Sequence, residues 1–586
     1  MRKIVSGIVL IASTVLFAQD SFNLHSVIVD NPADTMLWQA RTSKGGISGA
    51  RGVWSGSDLD QDGRQEIWVT DYTDGGKVHA FEWYYGDTLV HVWSSEATNS
   101  TYSTGTRWVQ TGDLDGDGLG EVIFFAGRYA SSDTAQGLYV YEWDGVSDNG
   151  YGMKPTWHRN MHTVYKDTIS RVRVEHFSVD DIDGDGKQEI IYAHDDWPSD
   201  PAFGTTSTTH AAYSGDRFTI ASVSGDIGSS ITPPVLIEEY SISPRDVDKD
   251  GVRENALGGG SPQSVVIADM DGDGKKEAVC ISWNGLAVFV IEATGPDAYT
   301  LGDTTYIKLA DTDDWTLAAA VADVNKDGKD EVYIPGYYDK QYFIIADNDG
   351  ESTTLTSSEW AVLDSANGYA HGASASNNAF GDPAVFFPNG QGTSMFQYTG
   401  TGSVLDSSQW TRTDYMVETH QTGDVLKLFA GANLDRDSYG EVILGYLGVS
   451  DSLYTGTDTA KVNPTSNRVI LRVLEYSGKS TELSVKDVVI ITPEDYKLSQ
   501  NYPNPFNPTT TIEYTLPIAS RISISIFNVM GQEVANIIQN QDKPAGTYQV
   551  TWNGTDKNGN QVASGTYFYS MRFGNFTKTK QMTFMK

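Results

Sequence analysis

Short runs of β-branched and aromatic residues recur along the chain, and nearly all are introduced by an acidic, glycine-bearing stretch. They read EIWVTDY, EVIFFAG, EIIYAHD, EAVCISW, EVYIPGY and EVILGYL. Such runs predict buried strands. Between the first two acidic stretches lie EIWVTDY, KVHAFEWYY, TLVHVWSS and GTRWVQTGD. Four short strands in a unit of about 55 residues is the make-up of one propeller blade. Beyond about residue 490 the pattern changes. A Pro- and Asn-rich opening gives way to strict alternation, with Ile522, Ile524 and Ile526 against Ser523 and Ser525. That period predicts half-buried strands and a small β-sandwich.

The acidic stretches share one nine-residue pattern. It appears as DLDQDGRQE (Asp58, Asp60, Asp62, Glu66), DLDGDGLGE (Asp113, Asp115, Asp117, Glu121) and DIDGDGKQE (Asp181, Asp183, Asp185, Glu189). It returns as DVDKDGVRE (Asp246, Asp248, Asp250, Glu254) and DMDGDGKKE (Asp269, Asp271, Asp273, Glu277). The last two copies are DVNKDGKDE (Asp323, Asn325, Asp327, Glu331) and NLDRDSYGE (Asn433, Asp435, Asp437, Glu441). Hard oxygen ligands at positions 1, 3 and 5, a bend at glycine 6 and an acid at 9 suit Ca2+, which takes six to eight oxygens. An EF-hand closes with Glu at position 12 between helices; here the acid is at 9 and a strand follows. A single such run would be readable as a polar turn, but the repetition argues for a metal. Asn325, Asn433 and Ser438 depart from the pattern, so weaker binding is expected there.

The spacing counts the units. From 58 to 113 is 55 residues, from 269 to 323 is 54, and from 323 to 433 is 110, with SNNAFGDPAVFFPNG (376–390) midway as a unit that kept its strand and lost its acids. The copy at 246 lies too close to the next to head a unit and reads as an inserted loop. Seven units result, beginning near 58, 113, 181, 269, 323, 378 and 433, with a long insertion expected around 195–245.

These repeats resemble FG-GAP or VCBS-type repeats, as in the integrin α-subunit head and many bacterial surface proteins. The resemblance implies an all-β, seven-bladed β-propeller over 20–490 with calcium at the blade edges. In the tail, NYPNPFNPTT, FNVMGQEV and AGTYQVTWNGTDKNGNQVASGTYFY resemble the type A C-terminal sorting domain of the type IX secretion system. That resemblance implies an immunoglobulin-like β-sandwich over 491–586 and, as partner, the type IX secretion machinery.

Charge and composition narrow the function. A net charge of −36 argues against nucleic acid as partner, and bound divalent cations would offset part of it. Residues 1–19 read as a signal peptide: Arg2 and Lys3, an apolar core from Ile4 to Phe17, and Ala18 near the cut. That core is too short to span a membrane, and no later segment is long and apolar enough. A secreted or outer-membrane cell-surface bacterial protein is the expectation. The single cysteine, Cys280, forms no internal disulfide and reads as a buried strand residue. Metal staples would then do what disulfides do elsewhere.

No G-x-S-x-G or H-E-x-x-H motif is present. His158 and His162 read as loop histidines, and His194, Asp195 and Asp196 offer the best guess at a specific functional surface. Two functions stay open. One is a non-catalytic propeller binding a glycan, a protein or a neighbouring subunit. The other is a calcium-dependent polysaccharide-cleaving lyase or hydrolase, which would require a His, Lys, Arg or Tyr cluster beside a calcium site.

Overall fold

The computed structural model describes residues 22–30, most of 50–476 and nearly all of 496–586; the larger stretches outside the description are 97–105, 128–135, 195–215, 245–256, 416–424, 435–439 and 447–467. Residues 1–19, His162, Asp195, Asp196, the loop of Asp246, Asp248, Asp250 and Glu254, Asp435, Asp437 and the boundary near 490 therefore lie outside the described residues.

Seven four-stranded antiparallel paths follow one another. Blade 1 holds Ala50–Trp54, Glu66–Asp71, Lys77–Tyr84 and Thr88–Ser94, paired in that order from the inner strand outward. Blades 2 to 6 repeat the plan from inner strands Val109–Gly112, Val174–Asp180, Pro262–Ala268, Ala320–Ala322 and Ser374–Ser376. Blade 7 takes Val425–Ala432, Glu441–Tyr446 and Arg468–Tyr476 from this end of the chain and its outer strand, Phe22–Asp30, from the N-terminal end. Each inner strand packs beside the next, and that of blade 7 beside that of blade 1, so the ring is closed.

The second strands explain the apolar runs. EVIFFA, EIIYAH, EAVCIS, AVFFPN and EVILGY are buried along their whole lengths, because each lies mid-blade with a neighbouring blade on either side. The core is accordingly divided into one apolar cluster per seam between consecutive blades. Cys280 belongs to the cluster between blades 3 and 4.

Two expectations are corrected. The 195–245 segment is not wholly an insertion: Arg217–Ser224 and Val235–Ile242 are the third and outer strands of blade 3. Within 195–245, the stretch that exceeds a blade's own strands and hairpin is the one between His194 and Arg217. The blade also begins one strand before the acidic loop, so that loop joins the inner strand to the second strand.

The C-terminal domain stacks a sheet of Lys497–Leu498, Thr510–Leu516 and Gly546–Trp552 on one of Glu533–Lys543, Ser520–Asn528, Gly565–Phe573 and Phe576–Phe584. The expected alternation is present: Ile522, Ile524 and Ile526 enter a core with Trp552, Tyr569, Met582 and Phe584. Among the described residues no helix is long and apolar enough to cross a membrane.

Candidate metal centre

The described acidic loops of blades 1 to 5 are wound by their own carboxylates. In blade 2, Asp113 (position 1) accepts from the amides of Gly116 (2.8 Å) and Gly118 (3.0 Å), and Asp117 (position 5) from Leu119 (2.7 Å). Blades 3 and 4 repeat this with Asp181 and Asp185, and with Asp269 and Asp273. Such a winding needs left-handed backbone at two places. Position 6 is always Gly among the described loops of blades 1 to 5, at φ +86° to +92°. Position 4 is left-handed as well, filled by Gly116, Gly184 and Gly272 but by Gln61 and Lys326 elsewhere.

The position-9 acid begins the second strand and is buried. One of its oxygens accepts from the amide at position 2: Leu59 to Glu66, Leu114 to Glu121, Ile182 to Glu189, Met270 to Glu277, Val324 to Glu331 and Leu434 to Glu441, at 2.8 to 3.2 Å. The position-2 side chain is itself buried, anchoring the loop to the core. The second oxygens of Glu121 and Glu277 are buried and accept no hydrogen bond.

Further acids converge from the third strand. Glu66 stands directly across from Glu82, Glu121 from Glu142, and Glu277 from Glu292. Like charges in register destabilise a sheet. Carboxylate oxygens of Asp58, Asp60 and Asp62, of Asp60, Glu66 and Glu82, and of Asp113, Asp115 and Glu121 approach within 4.8 Å of one another in each group. Burial, aided by the neighbouring carboxylates, pushes Glu121 up to about 9 and Glu82, Glu189, Glu277 and Glu331 to about 8. Burial likewise raises Asp60 to about 7. Oxygen-only, clustered and partly dehydrated, these groups fit a hard divalent cation of the Ca2+ type.

The loops are also tied to the following blade, which sequence reading missed. Side chains at position 8 receive the position-1 amide of the preceding blade: Asp113 to Gln188 (2.8 Å), Asp269 to Asp330 (3.0 Å) and Asn433 to Gln65 (3.0 Å). The hairpin between third and outer strands of the next blade also reaches back. Its amides donate to the position-3 carboxylate: Asn149 to Asp60 (2.7 Å), Ile227 to Asp115 (2.6 Å) and Asp297 to Asp183 (2.6 Å). The polar residue at position 8 and the D-x-G-type hairpins were signals available in the sequence.

Asn325 keeps the position-3 role in its loop: its Oδ1 accepts from the Asp327 amide (2.9 Å), as Asp115 does from Asp117, and its side-chain amide donates to Asp327 (2.8 Å). The expected histidines stand apart from this centre. His158 lies on the outer strand of blade 2, not in a loop, tilted against Tyr139 at 4.3 Å with burial lowering its pKa. His194 is buried at the end of the second strand of blade 3.

The FG-GAP-like repeat family matches residues 58–124 and 269–334, and the FlgD Ig-like domain family matches 507–574. No curated protein matches the chain. Solved structures similar to it include PorZ, a surface component of the type-IX secretion system of Porphyromonas gingivalis, at 12% identity, with 93% of this chain and 82% of that one covered and a TM-score of 0.23. A periplasmic gluconolactonase of Pseudomonas aeruginosa shares 11% identity over 73% of this chain and 98% of its own, TM-score 0.32. A glycoside hydrolase family 43 arabinoxylan arabinofuranohydrolase of Bacillus subtilis shares 11% over 70% and 95%, TM-score 0.28. The chain thus carries FG-GAP-like repeats within a propeller and a C-terminal Ig-like domain. Activity does not follow from likenesses this distant.

Proposed function

We propose that this is a secreted or cell-surface bacterial propeller, stapled by calcium at its loops, that binds a glycan or protein ligand in an adhesive role. In this reading residues 491–586 serve as a type IX sorting domain. The observation that carries ligand binding is an aromatic cluster on the rim opposite the acidic loops. Strands alternate in direction, so turns from second to third strands and connections between blades share that rim. There Trp283 and Trp315 lie nearly parallel (18°, 5.7 Å), and Trp315 meets Tyr337 at 4.4 Å. Tyr338 is 54% exposed beside them. The buried Asp314 fixes this platform by accepting from the amides of Trp315 (2.8 Å), Tyr338 (2.7 Å) and Asp339 (3.2 Å). Partly exposed ring faces of this kind suit the apolar faces of sugar rings or a partner's side chains.

Among residues with described side chains, His79, His91, His176, His194 and His371 are buried and His158 half-buried. The test is a polysaccharide panel with the full-length protein in millimolar calcium, scored for retention and for new reducing ends or unsaturated products. Retention that falls for Tyr338→Ala, without product, supports the reading. Product that vanishes with chelator would replace it by the lyase or hydrolase. The sorting role fails if cells lacking residues 495–586 of this protein still display it.

A further inference from the structure

At loop position 7, blades 1, 3, 4 and 5 carry a basic residue paired with a carboxylate at the loop, which in blades 1 and 4 includes the third-strand acid; blade 2 carries none. Arg64 contacts Asp62 and lies 3.9 Å from Glu82. Lys187 pairs with Asp185 (3.2 Å), Lys275 with Asp273 (2.7 Å) and Glu292 (3.5 Å), and Lys329 with Asp347 (2.9 Å). In blade 2 position 7 is Leu119, which brings no charge. At that loop four carboxylates converge: Asp115, Asp117 and Glu142 of blade 2, and Asp226 from the third-to-outer hairpin of blade 3, all with an oxygen within 4.8 Å of the others.

The hairpin is held in place to deliver Asp226. Ile227, buried in the seam cluster, donates its amide to Asp115 Oδ2 at 2.6 Å. A Cβ on Gly228 would sit 2.5 Å from Glu142 Oε1, so glycine lets the backbone close over that carboxylate. Asp115 is shared with the loop group of Asp113 and Glu121. Into that group points Glu121, 0% exposed, whose Oε1 accepts no hydrogen bond; Glu142 Oε2, also buried, accepts none either. A buried carboxylate oxygen without a donor is costly and is the position a cation would occupy.

We propose that Asp115, Asp117, Glu142 and Asp226 form a divalent-cation site across the seam of blades 2 and 3, continuous with the loop position at Glu121. The cation there neutralises the third-strand acid as the basic side chain does in blades 1 and 4, and in addition ties two blades together. All four donors are oxygens, so the site takes Ca2+ or another hard cation rather than a thiolate- or imidazole-seeking metal. The proposal rests on the reading that the loops take calcium, but it assigns ligands outside the nine-residue motif.

The experiment compares calcium bound to full-length protein, by equilibrium dialysis with elemental analysis and by titration calorimetry, for wild type and three variants. Asp226→Asn is expected to remove one calcium equivalent or to weaken one class of sites by about 10- to 100-fold. Leu119→Lys supplies the missing charge, so it should lose the same equivalent while melting above wild type in chelator. Glu533→Gln, an exposed change in the C-terminal domain, should leave binding as in wild type. If Asp226→Asn does not fold, Leu119→Lys alone decides. Wild-type binding retained in both seam variants overturns the proposal while leaving the loop reading intact. A wild type that binds no calcium overturns both.

Discussion

Glu175 shows how a residue can matter without any trace in a motif. Its buried carboxylate receives Arg51 (3.2 Å), Arg107 and Arg173 (2.6 Å), from the region of the inner strands of three blades. Lys427 of blade 7 donates to its backbone carbonyl at 3.0 Å and lies over Trp108 at 4.3 Å. Burial opposes the charge, but the three guanidiniums win and hold Glu175 well below the usual carboxylate range. Removing one member of a buried ion cluster leaves the others uncompensated. Glu175→Gln is therefore expected to cost about 3–5 kcal/mol, read from the urea midpoint at unchanged m-value. A shift near zero would mean the cations are satisfied without it. Arg51 and Glu175 are 124 positions apart, so no local pattern could pair them. Cys280 was the opposite case. Its apolar neighbours in EAVCIS announced burial, and the thiol is indeed fully buried and its pKa pushed up. It should stay unreactive to a thiol reagent until the protein unfolds.

At the scale of the element, the loop's acids were legible because calcium-type chemistry dictates their spacing, whereas the loop's neighbours were not. Glu82 and Glu142 sit on third strands within ordinary β pattern, and only the register with Glu66 and Glu121 makes them part of a site. The 195–245 segment was misread for a related reason: unit length was taken from the acids, while the blade is defined by strand pairing. The left-handed glycines give an element-level test. A Cβ on Gly118 meets nothing within 4 Å, so Gly118→Ala has only its φ of +86° to contend with. The expected loss is about 1–2 kcal/mol with weaker calcium binding at blade 2. Asn325→Asp tests the converse. It restores an acid at position 3 and removes the amide that donates to Asp327. Blade 5 should then bind calcium more tightly and be less stable in chelator, as calorimetry and melting would show; an unchanged affinity would mean that loop stays empty.

For the whole molecule, ring closure and charge act together. The ring is shut by Phe22–Asp30 on Arg468–Tyr476, a pairing between the two ends of the propeller that spacing alone could not disclose. Around this ring stand the buried and half-buried acids of the loops and third strands whose folded pKa values lie above their unfolded ones. Glu142 and Asp60 titrate near 7, Glu82, Glu189, Glu277 and Glu331 near 8, and Glu121 near 9, with burial the main cause. Below about pH 6.5 the buried His79, His91 and His371, held near 3 by burial, oppose these acids, because only the unfolded state protonates them. From about pH 7 to 9 the native state without metal holds more protons than the unfolded state, so its stability falls as pH rises. Glu175, held low, works in the other sense: its contribution is present at neutral pH and is lost only on acidification. Calcium binds the ionised loops and must displace their protons, so its stabilising effect should grow with pH. One site filled at a hundred times its dissociation constant contributes about 2.7 kcal/mol. In chelator, the melting temperature should therefore decline from pH 7 to pH 9, and the increment from millimolar calcium should widen over the same range. A metal-free melting temperature that is flat or rises, or a calcium increment indifferent to pH, would show that the loop carboxylates are not jointly buried and cation-seeking.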